Sequence, residues 1–215
     1  MAATETRLLV LGAVCLFEPV NGYQIRRELL SWDVEEWAHI NPGSIYSALA
    51  TLTKQAHVVR HDLVDGTREV AVYTSTERGR AELADLFARA LETVEELHPL
   101  AFHTALSMAS MFERDTVAKH LRVRAARLEE HLARLEEKRG ATASGQAPPH
   151  VARLLELQIA EAREEQRWIA RFAAEVDAGE HSFQGEPAGW RPAPDDPGWQ
   201  MAHDRERYLA LLAAR

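Results

Sequence analysis

Asp65-Gly66 stands between two stretches, residues 58–64 and 68–74, whose short-period composition reads as two strands. An Asp-Gly pair suits the positive-φ positions of a two-residue turn, so the segment predicts a tight antiparallel hairpin. On both sides of it the apolar residues return to helical spacing. One small hairpin is thus embedded in an otherwise helical chain, which sets the fold class as mainly α with a small β-hairpin.

Three helices are predicted ahead of the hairpin. The first covers residues 4–17 and is closed by Glu18-Pro19. The second starts after Asn21-Gly22, carries Tyr23, Ile25, Leu29 and Leu30, and ends near Trp32; residues 33–40, with Trp37, form a connection. The third opens on Asn41-Pro42-Gly43-Ser44-Ile45-Tyr46-Ser47-Ala48-Leu49 and runs to about Ala56. Asn is a favoured N-cap, and Pro in the first helical position loses only an N–H that would have no partner. Ile45, Leu49 and Leu52 share a core-facing side, which leaves Gly43, Ser44, Tyr46 and Ser47 around the exposed first turns. Small groups, hydroxyls and unpaired N–H groups at a helix start suit a phosphate backbone and base edges. Three helices and a hairpin within about seventy residues describe the winged form of the helix-turn-helix.

Beyond the hairpin, Thr76 and Glu77 cap a long fourth helix. Along it Leu83, Phe87, Ala90, Val94 and Leu97 alternate spacings of four and three, a narrow seam suited to a helix of a second subunit, and Pro99 ends it. Residues 113–139 place Val117, Leu121, Ala125, Leu128, Leu132 and Leu135 on one face. Residues 150–178 do the same with Val151, Leu155, Ile159, Ala162, Ile169, Phe172 and Val176. The Gly-, Ala-, Ser- and Pro-rich residues 140–149 turn between them, so the two helices form an antiparallel hairpin. Residues 179–197 read as an exposed connection, and residues 200–214 recover a helical pattern through Met201, Tyr208, Leu209 and Leu212. The expected organisation is an N-terminal winged helix-turn-helix domain, residues 1–80, and a C-terminal antiparallel helical dimerisation domain, residues 81–215.

Composition removes several functional classes. The chain has 215 residues, 46% hydrophobic and 27% charged, as folded domains do, and no apolar run approaches a membrane span. Residues 8–17 are apolar but lack a basic flank and a small-residue cleavage site, so they read as a buried helix, and the protein as cytoplasmic. Cys15, the single cysteine, lies in that helix, which excludes an intrachain disulfide and favours a packing role. The net charge is -8, and residues 1–80 hold 8 Lys or Arg against 10 Asp or Glu, so any DNA contact draws on local clustering of charge. The ten histidines form no ligand set: His57 and His61 straddle a helix–strand boundary, and His98 and His103, five apart, fall on different helix faces. No metal or other cofactor is expected. A phosphate loop, a nucleophile elbow and an HExxH run are missing, and Glu129-Glu130 and Glu164-Glu165 sit beside arginines as solvated ion pairs. An enzyme is not expected.

Three pieces carry a family resemblance over residues 7–83. They are Leu8-Leu9-Val10-Leu11-Gly12 leading to Pro19-Val20-Asn21-Gly22-Tyr23-Gln24-Ile25; the run from Pro42 through Leu49-Ala50-Thr51 to Leu52; and Val72-Tyr73-Thr74-Ser75-Thr76-Glu77-Arg78-Gly79-Arg80. In this order and at these distances they resemble a PadR-family transcriptional regulator. The rest of the chain is similar to longer members of the family, whose C-terminal helical domain dimerises and is related to virulence-gene activators. The resemblance implies a homodimer that binds double-stranded DNA at a palindromic operator, more often as a repressor than an activator, and that answers to a small-molecule effector. It implies DNA contact from Tyr23, Arg26, Arg27, Gly43, Ser44, Tyr46, Ser47, Lys54 and Arg68, with Arg78 and Arg80 as further phosphate candidates. Two departures accompany it. Ser75 stands where the family usually has an apolar residue, and Lys54 is the one Lys or Arg after Tyr46 on the third helix.

Each residue also has a plainer reading. Tyr46, about 100° around the helix from Ile45, reaches DNA or packs partly into the core, and its angle favours DNA. Ser44 and Ser47 bind phosphate or water, and Arg68 enters a minor groove or is an ordinary strand-end charge. Trp37, Trp190 and Trp199 could stack on a ligand; Trp168 reads as packing. Two other functions fit the same residues: a winged-helix protein-interaction module, and a ligand-binding helical protein without sequence-specific DNA binding.

Overall fold

A computed structural model of the protein describes residues 4–95, 99–142, 148–196 and 198–214. They divide into two compact units, one drawn from Met1–Phe87 and Trp190–Arg215, the other from Ala88–Gly189.

The first unit is built around α1 (Thr4–Phe17), whose Leu8, Leu9, Val10, Leu11, Ala13 and Val14 are all buried. A helix apolar on every side needs neighbours on every side. α2 (Gly22–Ser31) opens with a capping box: Gln24 N–H donates to Asn21 Oδ1 at 2.8 Å, and Asn21 N–H donates to Gln24 Oε1 at 3.0 Å. The expected connection contains a single turn, α3 (Val34–Trp37), tied down by the Trp37 indole donating to the Trp32 carbonyl at 2.7 Å. α4 (Pro42–Lys54) follows. It closes as a Schellman motif, with His57 N–H donating to Leu52 O at 2.9 Å and Ala56 at φ 57° where glycine is usual. That stop comes two residues before the sequence pattern suggests.

β2 (Val58–Asp65) and β3 (Arg68–Ser75) form the expected hairpin, but Asp65 ends the strand and pairs with Arg68, so the two-residue loop is Gly66-Thr67, with Gly66 at φ 66°. A third strand, β1 (Val20–Asn21), pairs with β3 to give the order β1-β3-β2. Two residues carry no strand periodicity, so the sequence could not announce it.

Helix α9 (Gly198–Ala213) joins this unit, whereas the division at residue 80 assigns it to the helical domain. The reason is its packing. Tyr208 is buried with Leu63 and Val72 on the sheet, and its hydroxyl accepts from Asn21 Nδ2 at 3.0 Å. Asp204 accepts from Gln24 Nε2 at 2.8 Å, and Arg207 pairs with Asp65 at 2.9 Å. An amphipathic pattern states that a helix packs, not which core it packs on.

α5 (Glu77–Glu92) contributes to both units and is shorter than its heptad-like spacing implies. Val94 lies past its end, and Leu97 falls outside the described residues. Leu83, Phe87 and Ala90 are already buried within the chain, so this seam is not a free face for a second subunit. α6 (Leu100–Ser107) and a 3₁₀ turn (Ala109–Met111) follow, unforeseen from the sequence.

In the second unit α7 (Arg114–Ala141) and α8 (Pro149–Ala178) run antiparallel: Arg124 meets Glu165, and Leu135 packs with Leu155 and Ile159. The expected apolar faces point inward, except that Ala125, Leu132, Val151 and Phe172 are only half-buried and Arg124 and His131 are buried among them. At the open end Arg114 ties the pair together, bonding Glu186 at 2.6 Å and the Val176 and His181 carbonyls. Trp168 is a packing residue, stacked on Phe172 at 5.0 Å and edge-on to Phe102 at 6.2 Å. No helix among the described residues is long and apolar enough to cross a membrane.

Candidate nucleic-acid interface

The start of α4 is fixed by Asn41, whose Oδ1 accepts from Ser44 N–H at 2.9 Å and from Ser44 Oγ at 3.2 Å. Successive residues then turn by about 100°. Ile45, Ala48, Leu49 and Leu52 are buried on one side, while Gly43, Tyr46, Ser47, Ala50 and Lys54 are exposed on the other. On the helical wheel those five fall within an arc of about 100° centred opposite the core. Ser44 lies outside it, half-buried with its hydroxyl on the cap. Ala50 is a member that the sequence reading passed over, although its position seven residues after Gly43 marks the same face.

Tyr46 combines its two sequence readings. Its ring edge lies over Gly22, where an added Cβ would sit 3.0 Å from Cε1, yet 45% of the residue stays exposed. Tyr23, next to Gly22 at the start of α2, is 62% exposed. A pair of tyrosines at the α2 start and the α4 start therefore flanks one edge of the stripe.

The cations separate into two groups. Among the described residues no ion pair holds Arg26, Lys54, Arg68 or Arg78, and the Arg26 Nε is buried with no hydrogen-bond partner. Arg27 instead pairs with Glu28 at 2.7 Å and lies against Met201 Sδ at 3.5 Å. Arg80 is held by Ser75 and by Glu77 at 2.5 Å, with Glu18 at 3.6 Å. These two arginines serve the unit's own cohesion.

Arg80 also explains Ser75. The Ser75 hydroxyl donates to Glu18 Oε1 at 2.9 Å, its N–H donates to the same carboxylate, and the Arg80 guanidinium donates to its oxygen. A polar clamp thus fixes the end of β3 where an apolar anchor is usual. Cys15 lies beside it, and burial pushes its thiol up to about 11, so it stays protonated and unreactive at neutral pH.

The turn from α4 into β2 carries a buried histidine. His57 Nε2 accepts from Arg7 at 3.1 Å, which leaves the neutral ring's proton on Nδ1, and Nδ1 is buried without a partner. Burial first, and then the Arg7 charge, push His57 below the usual histidine range. The unfolded chain accordingly takes up this proton before the folded one. Stability contributed here is complete above about pH 6.5 and is lost as the pH falls below it. Urea unfolding followed from pH 7.5 to 5.5 should show that loss, and His57→Gln should flatten it; an unchanged slope in the variant would contradict this reading.

Residues 10–85 match the model of the transcriptional regulator PadR-like family. No curated protein matches. Among solved structures, Bacillus subtilis PadR in complex with operator DNA is 21% identical, covering 80% of this chain and 98% of its own, with a TM-score of 0.34. A PadR-like transcriptional regulator from Bacillus cereus is 19% identical, covering 81% and 99%, with a TM-score of 0.35. Bacillus subtilis PadR in complex with p-coumaric acid is 19% identical, covering 80% and 99%, with a TM-score of 0.31.

Proposed function

We propose, from the match of residues 10–85 to the PadR-like transcriptional-regulator family, that the protein is a cytoplasmic, homodimeric repressor that reads a palindromic operator with α4. The observation that carries this is the stripe on α4: small and hydroxyl-bearing groups, one tyrosine and one lysine, opposite a fully buried face. Gly43, Ser47 and Ala50 let the helix approach base edges closely, and Tyr23 and Tyr46 supply aromatic edges beside them. Ser44 gives its N–H and its hydroxyl proton to Asn41 and so fixes the helix start, keeping only its oxygen as an acceptor there. Phosphate contact comes from Arg26, Lys54, Arg68 and Arg78, which no ion pair holds among the described residues, while Arg27 keeps α2 in place behind them. Two copies of α4 enter successive major grooves about 34–36 Å apart. A small-molecule effector that favours another separation weakens binding by its differential affinity for that state.

The dimer draws on the helical unit. Leu154 and Leu157 on α8 are 54% and 55% exposed and border a groove of about 420 Å³ with Leu128 and Pro99. A second copy covering this face would bury them, at about 25 cal/mol per Å² of apolar surface. Sedimentation at micromolar concentration should give a dimer, and the Leu154→Glu, Leu157→Glu double variant a folded monomer; a monomeric wild type contradicts the assembly.

Two exposed contacts test the reading site. Tyr46→Ala and Arg68→Ala should each weaken operator binding by about tenfold, an effect of about 1.4 kcal/mol per contact. Arg68→Ala should leave the melting temperature within about 2 °C of wild type, because surface changes cost little, whereas Tyr46→Ala also removes the ring packed over Gly22 and should lower it by a few degrees while the chain stays folded. Unchanged affinity in both variants would remove α4 and the wing from the interface.

A further inference from the structure

The winged unit contains a cleft of about 840 Å³ to which α4 contributes nothing. One wall is formed by the C-terminal ends of α1 and α2, with Leu16, Phe17 and Trp32; the other by Trp190, Trp199 and Leu209, from the segment leading into α9 and from α9 itself. The volume is that of a site for a small molecule of drug size. Its surface is unusually bare: Leu16 is 42% exposed, Trp190 74%, Trp199 43% and Leu209 51%. Large apolar groups left bare around one concavity mark a binding site more than a random surface.

The charges around the cleft select the sign of the occupant. Glu28, Asp196 and Glu206 line it against one cation, Arg205. Arg205 is turned to the backbone, its Nε donating to the Glu18 carbonyl at 2.7 Å. Glu28 is already paired with Arg27, and the bond to a neutral carbonyl leaves the Arg205 charge in place, so Asp196 and Glu206 outnumber it by one. The helix ends act in the same direction. α1 and α2 both terminate at the cleft, presenting the negative ends of their dipoles. The positive end of α9, which would favour an anion, is covered by Asp196: its Oδ1 accepts from Gly198 N–H at 2.6 Å and its carbonyl from Trp199 N–H at 3.1 Å. Indole faces, carboxylates and helix C-termini together form a receptor for positive charge.

We propose that this cleft binds a bulky aromatic or lipophilic monocation, seated between Trp32, Trp190 and Trp199 and countered by Asp196 and Glu206. The site uses no residue of the α4 stripe, so the proposal stands apart from the DNA reading and can fail or succeed without it.

Calorimetric titration of the full chain with tetraphenylphosphonium, and with tetraphenylborate as its counterpart of near-equal size and opposite charge, tests the proposal. The phosphonium is expected to bind saturably at micromolar concentration, and the borate at least ten times more weakly. Trp190→Ala should weaken the phosphonium by about five- to tenfold. Glu206→Gln should weaken the phosphonium and leave the borate unchanged. Both positions are exposed, and Glu206 has no partner among the described residues, so melting temperatures should not move. Borate binding equal to or tighter than phosphonium binding overturns the charge assignment. Absence of saturable phosphonium binding up to a millimolar, or wild-type titration by both variants, overturns the site.

Discussion

Replacing Gly79 with Ala should lower the unfolding temperature by roughly 5–10 °C, with a loss of about 2 kcal/mol or more. The substitution is the reverse of what local chemistry predicts, since Ala in a helix interior is worth about 1 kcal/mol over Gly. Space decides the sign. A Cβ on Gly79 would sit 2.0 Å from the His57 carbonyl oxygen and 2.9 Å from its carbon, and both are backbone atoms. Neither can rotate away. The start of α5 is also pinned to that turn: Thr76 N–H donates to His57 O at 3.1 Å, Thr76 Oγ1 donates to Ala56 O at 2.9 Å, and Gly79 N–H donates to Thr76 Oγ1 at 2.9 Å. Relieving the clash pulls these apart and drags the buried His57 with them. Gly140→Ala in α7 is the control, because its Cβ meets nothing within 4 Å; it should be neutral or stabilise by up to about 1 kcal/mol. Urea unfolding of both variants checks the pair, and equal effects at the two glycines would contradict the steric argument.

Arg124→Met should cost the helical unit about 3 kcal/mol, measured the same way. The Arg124 side chain is 3% exposed, and its guanidinium makes every contact the site offers. Nε donates to Glu165 at 2.5 Å, Nη1 donates to the carbonyls of Leu91 at 3.1 Å and Thr93 at 2.6 Å, and its plane lies 3.7 Å over the Phe102 ring. The carbonyls at the end of α5 have no helical partner, and a cation there also meets the negative end of the dipole. Met fills the volume and leaves both carbonyls unpaired. Lys restores the charge without the fork of donors, so Arg124→Lys should recover less than half of the loss. Glu165→Gln should cost much less, since that carboxylate is 29% exposed and reaches water. A Met variant as stable as wild type would show that Arg124 fills space and caps nothing.

What the sequence disclosed follows from how each signal is generated. Helices with long apolar stripes and the Asp65-Gly66 turn were legible because local chemistry specifies them. The cap at Asn41 was equally local, and its hydrogen bond to Ser44 lies where the sequence put it. Features that depend on distant partners were not legible. The two-residue β1 exists only because β3 passes beside it. Arg124 looks like any helical arginine until α5, α6 and α8 converge on it. The seam of Leu83, Phe87 and Ala90 suggested a second subunit, but the chain covers those residues itself. At the candidate site, the stripe could be drawn from a helical wheel. Which arginines stay free could not, since Arg27 and Arg80 are claimed by neighbours up to 174 residues away.

In the proposed complex α4 reads DNA together with Arg26, Lys54, Arg68 and Arg78 of each protomer. The most direct test is fluorescence anisotropy on a duplex from the protein's own upstream region and on a shuffled duplex of equal composition, across a salt series. The reading predicts at least a thousandfold preference for the upstream duplex near 0.15 M salt. It also predicts a slope of log affinity against log salt near about −7, from four phosphate contacts on each of two protomers. Equal affinity for the two duplexes at every salt concentration would contradict it.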